Sequence, residues 1–566
     1  MYAVDTKRIT KKKVLHAINR IIITLIYLVA VIVLLMFTPN FVNRTIAGTN
    51  LIVNNNNITA DLKSPIISRN DNFYMELKDI KNFLDEYIVE EDGYVICTSN
   101  TKTARIPIDA DEMYINGKKE NCEIKAIKED DKLYVPMVHI INIYNAEYAY
   151  NDKNTTITID TKNRKYVEAT IVGDQDVKSG ATVISRTITS VKDHEKVSIV
   201  QNNDTDKDVT FAGWTKIRTD GGYIGYVPES SVKYRTVIRE SAKYNNIRGK
   251  VSMLYDYYNP LTSSDGKAST SEGINIVTPS FYNLRSDGTV SKNVNEDGKA
   301  YVEWAHRHNL EIWANVSNSH LNNIDKMHDI LSNFETRAKL IDDIVKKMQE
   351  DNVDGINIDF ENMYKDDKDK FSRLIIELAP RIHDLGKNIS VETLAPDGSD
   401  TWSLCYDRNT IGKAADYIIF HGYDENTGTT GSVAGGDWTE LNIKKYLGQE
   451  GVPANKVILA MPFYTKLWKE KDGKLVGTET VNMNSVNIPE GVEKKWDDKK
   501  KQNYVEYEKD GYIYKMWIED EKSLSYKLDI AVKYELAGVA FWESGREDAS
   551  IWEKVKQKIS PVKQSE

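Results

Sequence analysis

The stretch DGINIDFE, residues 354–361, has the alternating pattern of a strand that ends in two carboxylates. Side chains alternate along a strand, so Asn357, Asp359 and Glu361 share one face and the apolar residues share the other. Three polar groups on a buried face cost stability unless they serve a site. Repulsion between the two carboxylates, together with burial, raises one pKa and provides a proton donor near neutrality. The stretch therefore predicts an acid–base site.

Seven further apolar strands lie around this one between about residue 250 and the end of the sequence, separated by helical stretches. The strands are predicted at 251–257, 274–279, 311–316, 389–394, 417–421, 456–461 and 538–542, and helices at 297–309, 335–350 and 368–385. Eight strand–helix units predict an α/β fold, a (β/α)8 barrel over residues 245–566, with its site at the carboxyl ends of the strands. The stretch 464–520 is too long for a loop and predicts a small α+β insertion.

On the fourth strand of such a barrel, the pattern D-G-x-x-x-D-x-E resembles glycoside hydrolase family 18. Further stretches resemble the family in the right order, namely IIFHGYDEN at 418–426, SVAGGDWTE at 432–440, LAMPFYTKLW at 459–468 and residues 517–548. The resemblance implies a glycosidase in which the acetamido oxygen of the substrate is the nucleophile, so that hydrolysis is retaining and substrate-assisted.

The resemblance also implies a role for each matching side chain. Glu361 would be the general acid, and Asp359 would orient and polarise the acetamido group. Tyr423 and Asp424 would hold that group, and Trp542 would form the floor under the sugar ring. Asn357 and Tyr282 are expected as further substrate contacts, since Tyr282 follows the second strand and is placed to stack on a sugar or, equally, to pack in the core.

Three positions depart from the common chitinase pattern. Asn357 stands where many chitinases have Asp, His421 replaces Met on the sixth strand, and WANVSN (313–318) replaces a glycine-rich third strand. These departures favour the bacterial branch that includes spore-cortex and cell-wall N-acetylglucosaminidases, acting on β-linked N-acetylglucosamine in peptidoglycan. The alternatives are a chitinase or N-glycan endoglycosidase, and an inert barrel that binds glycan or a protein.

The N-terminus predicts membrane attachment. Residues 21–37, IIITLIYLVAVIVLLMF, are uncharged and follow a basic tail at 1–20. This pattern predicts a single-pass transmembrane helix over 21–38, with the N-terminus in the cytoplasm and the catalytic domain outside the cell membrane. The alternative is a cleaved signal peptide.

Three segments are predicted between the membrane and the barrel. Residues 39–60 are interpreted as a polar linker. Residues 61–162 repeat with an offset of 60, from FYMELKDIKNFLDEY at Phe73 to LYVPMVHIINIYNAEY at Leu133, and resemble copper-amine-oxidase-N-terminal-like α+β modules. Within residues 165–236, the stretch GWTKIRTDGGYIGYVPES resembles the end of a bacterial Src-homology-3-like β-barrel. Wall binding and a spacer role are both open for these modules.

Composition and the remaining motifs exclude other classes of function. With 40% hydrophobic and 28% charged residues the chain is globular, and a net charge of −10 argues against nucleic acid as a partner. No H-E-x-x-H, phosphate loop or G-x-S-x-G motif is present, so no metal or cofactor is expected. Cys97 and Cys122 could pair in an oxidising compartment or remain reduced and buried.

Overall fold

A computed structural model of the protein describes residues 48–162, 165–202, 205, 207–238, 247–257, 272–293 and 297–563. The predicted transmembrane helix at 21–38 and the basic tail before it lie outside these residues. Among the residues described, no helix has both the length and the apolar character needed to cross a membrane. The described chain divides into two compact units, residues 48–88 with 124–238 and residues 89–123 with 247–563.

Two four-stranded sheets and two helices form the first part of the first unit. The helices are Leu77–Phe83 and Met137–Ile143, and the strands are Asn50–Val53, Asn56–Asn57, Ile67–Arg69, Asn72–Glu76, Ile127–Glu129, Lys132–Pro136, Ala146–Asn151 and Thr156–Thr161. The strands Asn72–Glu76 and Lys132–Pro136 pair with each other antiparallel, and each leads directly into a helix. The equivalent elements are 60 residues apart, which confirms the internal repeat.

The predicted linker at 39–60 is wrong over its described part. Asn50–Val53 is a strand that pairs in parallel with the strand Thr156–Thr161, and its residues Leu51 and Ile52 are buried. Asn54 and Asn55 then turn the chain with φ angles of 51° and 69°, a conformation that Asn tolerates better than most residues. The run of asparagines therefore does not mark a linker, because it follows a short apolar strand and forms the turn after it.

An eight-stranded antiparallel sheet surrounds a small aliphatic core in the rest of the first unit. Its strands are Tyr166–Ile171, Gln175–Lys178, Thr187–Val191, Lys196–Ile199, Thr210–Phe211, Trp214–Arg218, Ile224–Pro228 and Val232–Ile238. A turn at Gly221-Gly222 joins the sixth and seventh of these strands, and Gly222 has a φ of 76° that favours glycine.

The second unit contains a closed barrel of eight parallel strands, as predicted. They are β1 (Val251–Asp256), β2 (Ile276–Pro279), β3 (Glu311–Ser317), β4 (Gly355–Asp359), β5 (Asn388–Thr393), β6 (Tyr417–His421), β7 (Val457–Pro462) and β8 (Gly538–Trp542). Each strand pairs with the next, and β8 also pairs with β1, which closes the circle.

Among the described residues of the barrel unit, eight α-helices lie between or after the strands, two of them after β3. They are α1 (Asp297–Arg307), α2 (Ile324–Ser332), α3 (Phe334–Asp351), α4 (Lys368–Asp384), α5 (Arg408–Ala414), α6 (Gly436–Lys444), α7 (Glu521–Lys533) and α8 (Ile551–Ile559). A hairpin of Tyr282–Leu284 and Val290–Lys292 also follows β2. Apolar side chains of the helices and of the outward strand faces form one continuous core.

The insertion after β7 differs from the α+β expectation. Its strands, Tyr464–Lys471, Lys474–Asn482, Lys495–Asp497, Gln502–Lys509 and Tyr512–Ile518, form one antiparallel sheet. Residues 464–518 are all described, and their only helical element is the 3-10 turn Met483–Ser485. The sheet forms because Val505, Met516 and Ile518 turn to a small core of their own, the period-two pattern of strands.

A second antiparallel sheet, residues 89–121, also belongs to the barrel unit. Its strands are Val89–Glu91, Tyr94–Thr98, Thr103–Pro107, Glu112–Ile115 and Lys118–Asn121. The Thr103 hydroxyl donates to the backbone oxygen of Glu377 in α4 at 2.8 Å, and the Arg105 guanidinium lies 4.5 Å from the ring centroid of Phe334 in α3. The middle of the predicted module 61–162 therefore packs with the barrel helices. The sequence repeat does not predict this packing.

Candidate active site

The strand β4 has the two faces that its sequence predicts. Ile356, Ile358 and Phe360 are fully buried in the core shared with the helices. Because these apolar side chains face the helices, the polar residues of β4 point into the barrel. Gly355 begins the strand. A β-carbon at this position would lie 2.5 Å from the Trp313 ring, so a larger residue would displace that indole.

A cavity of about 560 Å3 opens at the carboxyl ends of the strands. Its walls are formed by Tyr257, Ser280, Tyr282, Asn283, Asn293, Asn315, Ser317, Ser319, His320, Asp359, Glu361, Glu392, His421, Tyr423, Asp424, Tyr464 and Trp542. Six of the seven predicted site residues are thereby brought together. The seventh, Asn357, lies deeper and is fully buried.

Asn357 bonds to protein groups inside the barrel. Its side-chain amide donates to Asn315 Oδ1 at 3.2 Å, and its Oδ1 accepts from the Ser390 hydroxyl at 2.8 Å. Asn315 in turn donates to Asp359 Oδ2 at 3.2 Å. Asn357 thus orients Asn315, which bonds to Asp359. The predicted contact of Asn357 with substrate stays a prediction.

Asp359 is a carboxyl in a strongly desolvated position. Burial raises its pKa well above the ordinary value, and the negative charges of Glu392 and Glu361 raise it further. The hydrogen bond from Asn315 acts in the opposite direction but is the weaker influence. Asp359 therefore holds a proton more readily than an exposed Asp, and its state depends on the neighbouring carboxylates.

Glu361 follows β4 and is fixed through its backbone. Asn318 Nδ2 donates to the Glu361 carbonyl oxygen at 2.8 Å, and Asn318 Oδ1 accepts from the Glu361 amide at 3.0 Å. The carboxyl side chain is 32% exposed, towards the cavity. Burial raises the pKa of Glu361, an effect that His421 opposes and that Glu392 and Asp424 reinforce. A carboxyl that keeps its proton closer to neutral pH is suited to general-acid work.

The loop after β6 supplies the opposite wall of the cavity. Tyr464 donates from its hydroxyl to Asp424 Oδ1 at 2.6 Å, which fixes that carboxylate. Asp424 has a φ of 60°, so the backbone turns sharply just after Tyr423. Tyr423 itself is buried, with its ring centroid 3.6 Å from that of His421. The predicted pair Tyr423 and Asp424 thus lines the cavity together with Glu361.

Aromatic side chains form part of the wall. Trp542 ends β8 and lies tilted at 5.3 Å from the Tyr255 ring, and the peptide bond after Trp542 is cis. Tyr282 is only 1% exposed and its hydroxyl donates to Asp351 at 2.7 Å, so it offers a sugar little ring surface. Tyr257, by contrast, is 60% exposed at the cavity.

Four of the site residues that sequence reasoning missed bond to or lie beside the predicted ones. Asn315 and Asn318 come from the WANVSN stretch, which was interpreted only as a departure from the chitinase pattern. Glu392 lies on β5 and accepts from the Tyr255 hydroxyl at 2.9 Å, and Tyr464 holds Asp424. Strand alternation carries the missing signal for Glu392, because Ser390 and Glu392 occupy the inward positions of β5 as Asn357 and Asp359 do on β4.

Comparison with known proteins agrees with this geometry. The family described as glycosyl hydrolases family 18 matches residues 252–547, more than half of the chain. The copper amine oxidase N-terminal domain matches residues 52–159 and 115–201.

Three of the individual relatives come from Bacillus species. Uncharacterized glycosylase YvbX of Bacillus subtilis (strain 168) is 28% identical over 275 residues, 45% of this chain and 77% of that protein. Cortical fragment-lytic enzyme of the same organism is 22% identical over 258 residues, 43% of this chain and 58% of that protein. Among solved structures, the spore cortex-lytic enzyme SleL of Bacillus megaterium QM B1551 is 19% identical with a TM-score of 0.48, covering 59% of this chain and 79% of that one.

Proposed function

The chain belongs to glycosyl hydrolases family 18, and we propose that it is a retaining glycosidase that cleaves β-linked N-acetylglucosamine in peptidoglycan or spore cortex. The observation that carries the proposal is the pair of carboxyls on β4, Asp359 and Glu361. Both face one cavity at the carboxyl ends of the strands, and burial raises the pKa of both.

In the first step the acetamido oxygen of the bound sugar forms a bond to the anomeric carbon while the bond from that carbon to the glycosidic oxygen breaks, and Glu361 gives its proton to the departing oxygen. Asp359 orients the acetamido group and stabilises the positive charge that develops on it. In the second step the Glu361 carboxylate takes a proton from water, whose oxygen displaces the acetamido oxygen from the same carbon. Two inversions leave the product in the β configuration, and Glu361 regains its proton.

The proposed polymer rests on the relatives and on the charge of the site. One relative is a cortical fragment-lytic enzyme, and another is an uncharacterized glycosylase. The lining contains amide, hydroxyl and carboxyl groups, which suit the hydroxyl and acetamido groups of amino sugars.

Digestion of purified peptidoglycan tests this function directly. We expect the full-length protein to release fragments that carry N-acetylglucosamine at the reducing end, identified by mass spectrometry after borohydride reduction. Fragments ending in N-acetylmuramic acid would contradict the bond assignment. Cleavage of chitin oligosaccharides but not of peptidoglycan would replace the proposed polymer by chitin.

The proposal includes attachment to the cell membrane by residues 21–38, with the barrel outside. It is supported by the uncharged run 21–37 and by the basic residues before it. A protease added to intact protoplasts is expected to remove the barrel and leave the first twenty residues protected. A barrel that stays protected would reverse the orientation.

A further inference from the structure

Two ionisable side chains point into the barrel beside the acid and have no part in the proposed reaction. Glu392 lies on β5 and His421 ends β6, the neighbouring strand. Their side chains are only 4% and 13% exposed. His421 Nδ1 lies 3.1 Å from Glu392 Oε1 and 3.5 Å from Glu361 Oε1. The imidazole therefore sits between a buried carboxylate and the proposed general acid.

The groups that face His421 are mostly acidic. The carboxyls around it come from β4 and its end, from β5 and from the loop after β6, namely Asp359, Glu361, Glu392 and Asp424. The Tyr423 ring lies beside it from the loop after β6, and the hydroxyls of Tyr255 and Tyr464 bond to Glu392 and Asp424. Of the described residues that line the cavity, none is Lys or Arg, and His320 is the only other basic side chain. Four carboxyls thus share one adjacent cation.

The contacts of His421 are those of a charge and not of a structural hydrogen bond. Both ring nitrogens are buried, and neither makes an aligned hydrogen bond to any residue that the structure describes. A buried histidine with a purely architectural role normally satisfies at least one nitrogen. Here Nε2 instead lies 4.0 Å from Asp424 Oδ2, so both ends of the ring face carboxylates.

We propose that His421, kept in its imidazolium form by Glu392, is a positioning residue that offsets the negative charge around Glu361, so that this acid can cycle near neutral pH. The proposal rests on the proposed function, in which Glu361 must ionise when it protonates the leaving oxygen. Ionisation places a third negative charge beside Glu392 and Asp424. An imidazolium at 3.5 Å stabilises that charge, whereas a neutral side chain cannot.

The titration behaviour of the two groups agrees with this geometry. Burial lowers the pKa of His421, but Glu392, Glu361 and Asp424 outweigh burial and raise it to about 9. The ring is accordingly charged throughout the neutral range. Its charge in turn lowers the pKa of Glu361 against the effect of burial.

The test is the pH dependence of kcat/KM in variants of the pair. The basic limb of the profile reports loss of the Glu361 proton in the free enzyme. In His421→Gln we expect this limb to move up by about one pH unit or more, because the opposing cation is lost. In Glu392→Gln it should move up by less, because the lost negative charge next to Glu361 only partly offsets the lost imidazolium form of His421, and the double variant should lie close to Glu392→Gln.

A matched control comes from the other end of β4. His306 forms a comparable ion pair with Asp354, 2.8 Å between Nε2 and Oδ2, away from the cavity lining. His306→Gln should leave the basic limb in place. A role of His421 in packing alone would lower the rate of His421→Gln at every pH without moving the limb, and that result overturns the proposal.

Nuclear magnetic resonance of the ring nitrogens separates this proposal from the proposed function. In the full-length protein labelled with 15N-histidine, His421 should titrate near pH 9 and move towards the ordinary value of about 6.5 in Glu392→Gln. A His421 that is neutral at pH 7 overturns the proposal even in an active enzyme. A wild-type protein that cleaves no amino-sugar glycan refutes the proposed function, whatever this titration shows.

Discussion

Two of the clusters of buried charge among the described residues of the barrel unit differ in balance. The acid cluster at the cavity consists of four carboxyls and one imidazole, namely Asp359, Glu361, Glu392, Asp424 and His421. The helix cluster, where the sheet 89–121 meets α3 and α4, consists of two guanidinium groups and two carboxylates, namely Arg337, Arg373, Glu91 and Glu377.

The helix cluster is balanced and closed. Arg337 and Glu377 are 2% and 1% exposed and lie 3.2 Å apart, and Arg337 also donates to Glu91. Arg373 Nε lies 3.1 Å from Glu377 Oε1. Each charge has an opposite charge in contact, so the cluster holds elements together and has no group to offer a ligand.

The acid cluster has an excess of carboxyls and opens to a cavity. Carboxylates in contact with each other raise the proton affinity of each one and lower the folding stability of the protein. Such a loss of stability is typical of functional sites. The contrast teaches that burial of charge alone does not mark a site. An excess of one charge beside a cavity does mark a site. Substitutions that remove a carboxylate should therefore have opposite effects on stability in the two clusters.

The largest effect should come from Glu361→Gln in the acid cluster. Losing the proton donor should reduce kcat on glycan about 10²–10⁴-fold, while substrate binding and folding are kept because Gln has nearly the same shape. Steady-state rates on peptidoglycan fragments and circular dichroism measure both. Glu303→Gln, an exposed carboxyl on α1, is the control and should keep full activity. Activity close to wild type in Glu361→Gln would remove Glu361 from the site.

In the helix cluster, Arg337→Met should destabilise the protein without affecting catalysis. Removing Arg337 leaves Glu377 with less opposing charge and takes the cation from Glu91, and the free energy of unfolding should fall by about 3–5 kcal/mol. Urea unfolding measures the loss, and kcat below the transition should be unchanged.

The exposed pair Arg307–Glu303 provides the matched control for that variant. Arg307→Met should change the free energy of unfolding by less than about 1 kcal/mol, because solvent screens this pair. Equal losses in Arg337→Met and Arg307→Met would show that the helix cluster is not a structural ion network.

A smaller effect is expected from Asn318→Ala, which removes both side-chain hydrogen bonds to the Glu361 backbone. The acid then loses its fixed position, so kcat should fall about tenfold with little change in KM. Asn318→Asp keeps the acceptor for the Glu361 amide and should recover part of the loss. A change confined to KM would instead make Asn318 a substrate contact.

The smallest expected effect is a change in folding stability when a carboxyl becomes an amide. This change should have opposite signs in the acid cluster and in the helix cluster. Because the folded-state pKa of Asp359 is raised, the wild type loses stability as pH rises from the ordinary carboxyl pKa, about 4, through the folded value. Asp359→Asn has no such loss and should be more stable at pH 7 by about 0.5–2 kcal/mol, with the gain shrinking below pH 4. Thermal unfolding at several pH values measures it.

The equivalent change in the helix cluster should do the reverse. Glu377→Gln leaves Arg337 and Arg373 with less opposing charge and should lower the melting temperature at pH 7. Shifts of the same sign in Asp359→Asn and Glu377→Gln would remove the distinction between the clusters.

Local patterns predicted the barrel and part of its site. Short apolar runs between helical stretches predicted all eight strands, and period-two alternation on β4 predicted the face that carries Asp359 and Glu361, because a barrel strand has one face to the helices and one to the interior. The sheet at 89–121 escaped prediction since its contacts with α3 and α4 join residues about 240 positions apart, as in Glu91 and Arg337. The Glu392–His421 pair needs no such distant contact, because β5 and β6 are consecutive strands of the barrel and alternation turns Glu392 inward.

The leaving-group dependence of Glu361→Gln tests the role of this carboxyl most directly. An aryl N-acetylglucosaminide with an activated leaving group needs no proton, so on this substrate the variant should recover much of the rate that it loses on glycan. Asp359→Asn should recover little, because an amide cannot stabilise the positive charge that develops on the acetamido group. Equal losses of Glu361→Gln on the activated and the natural substrate would contradict the assignment of Glu361 as the general acid.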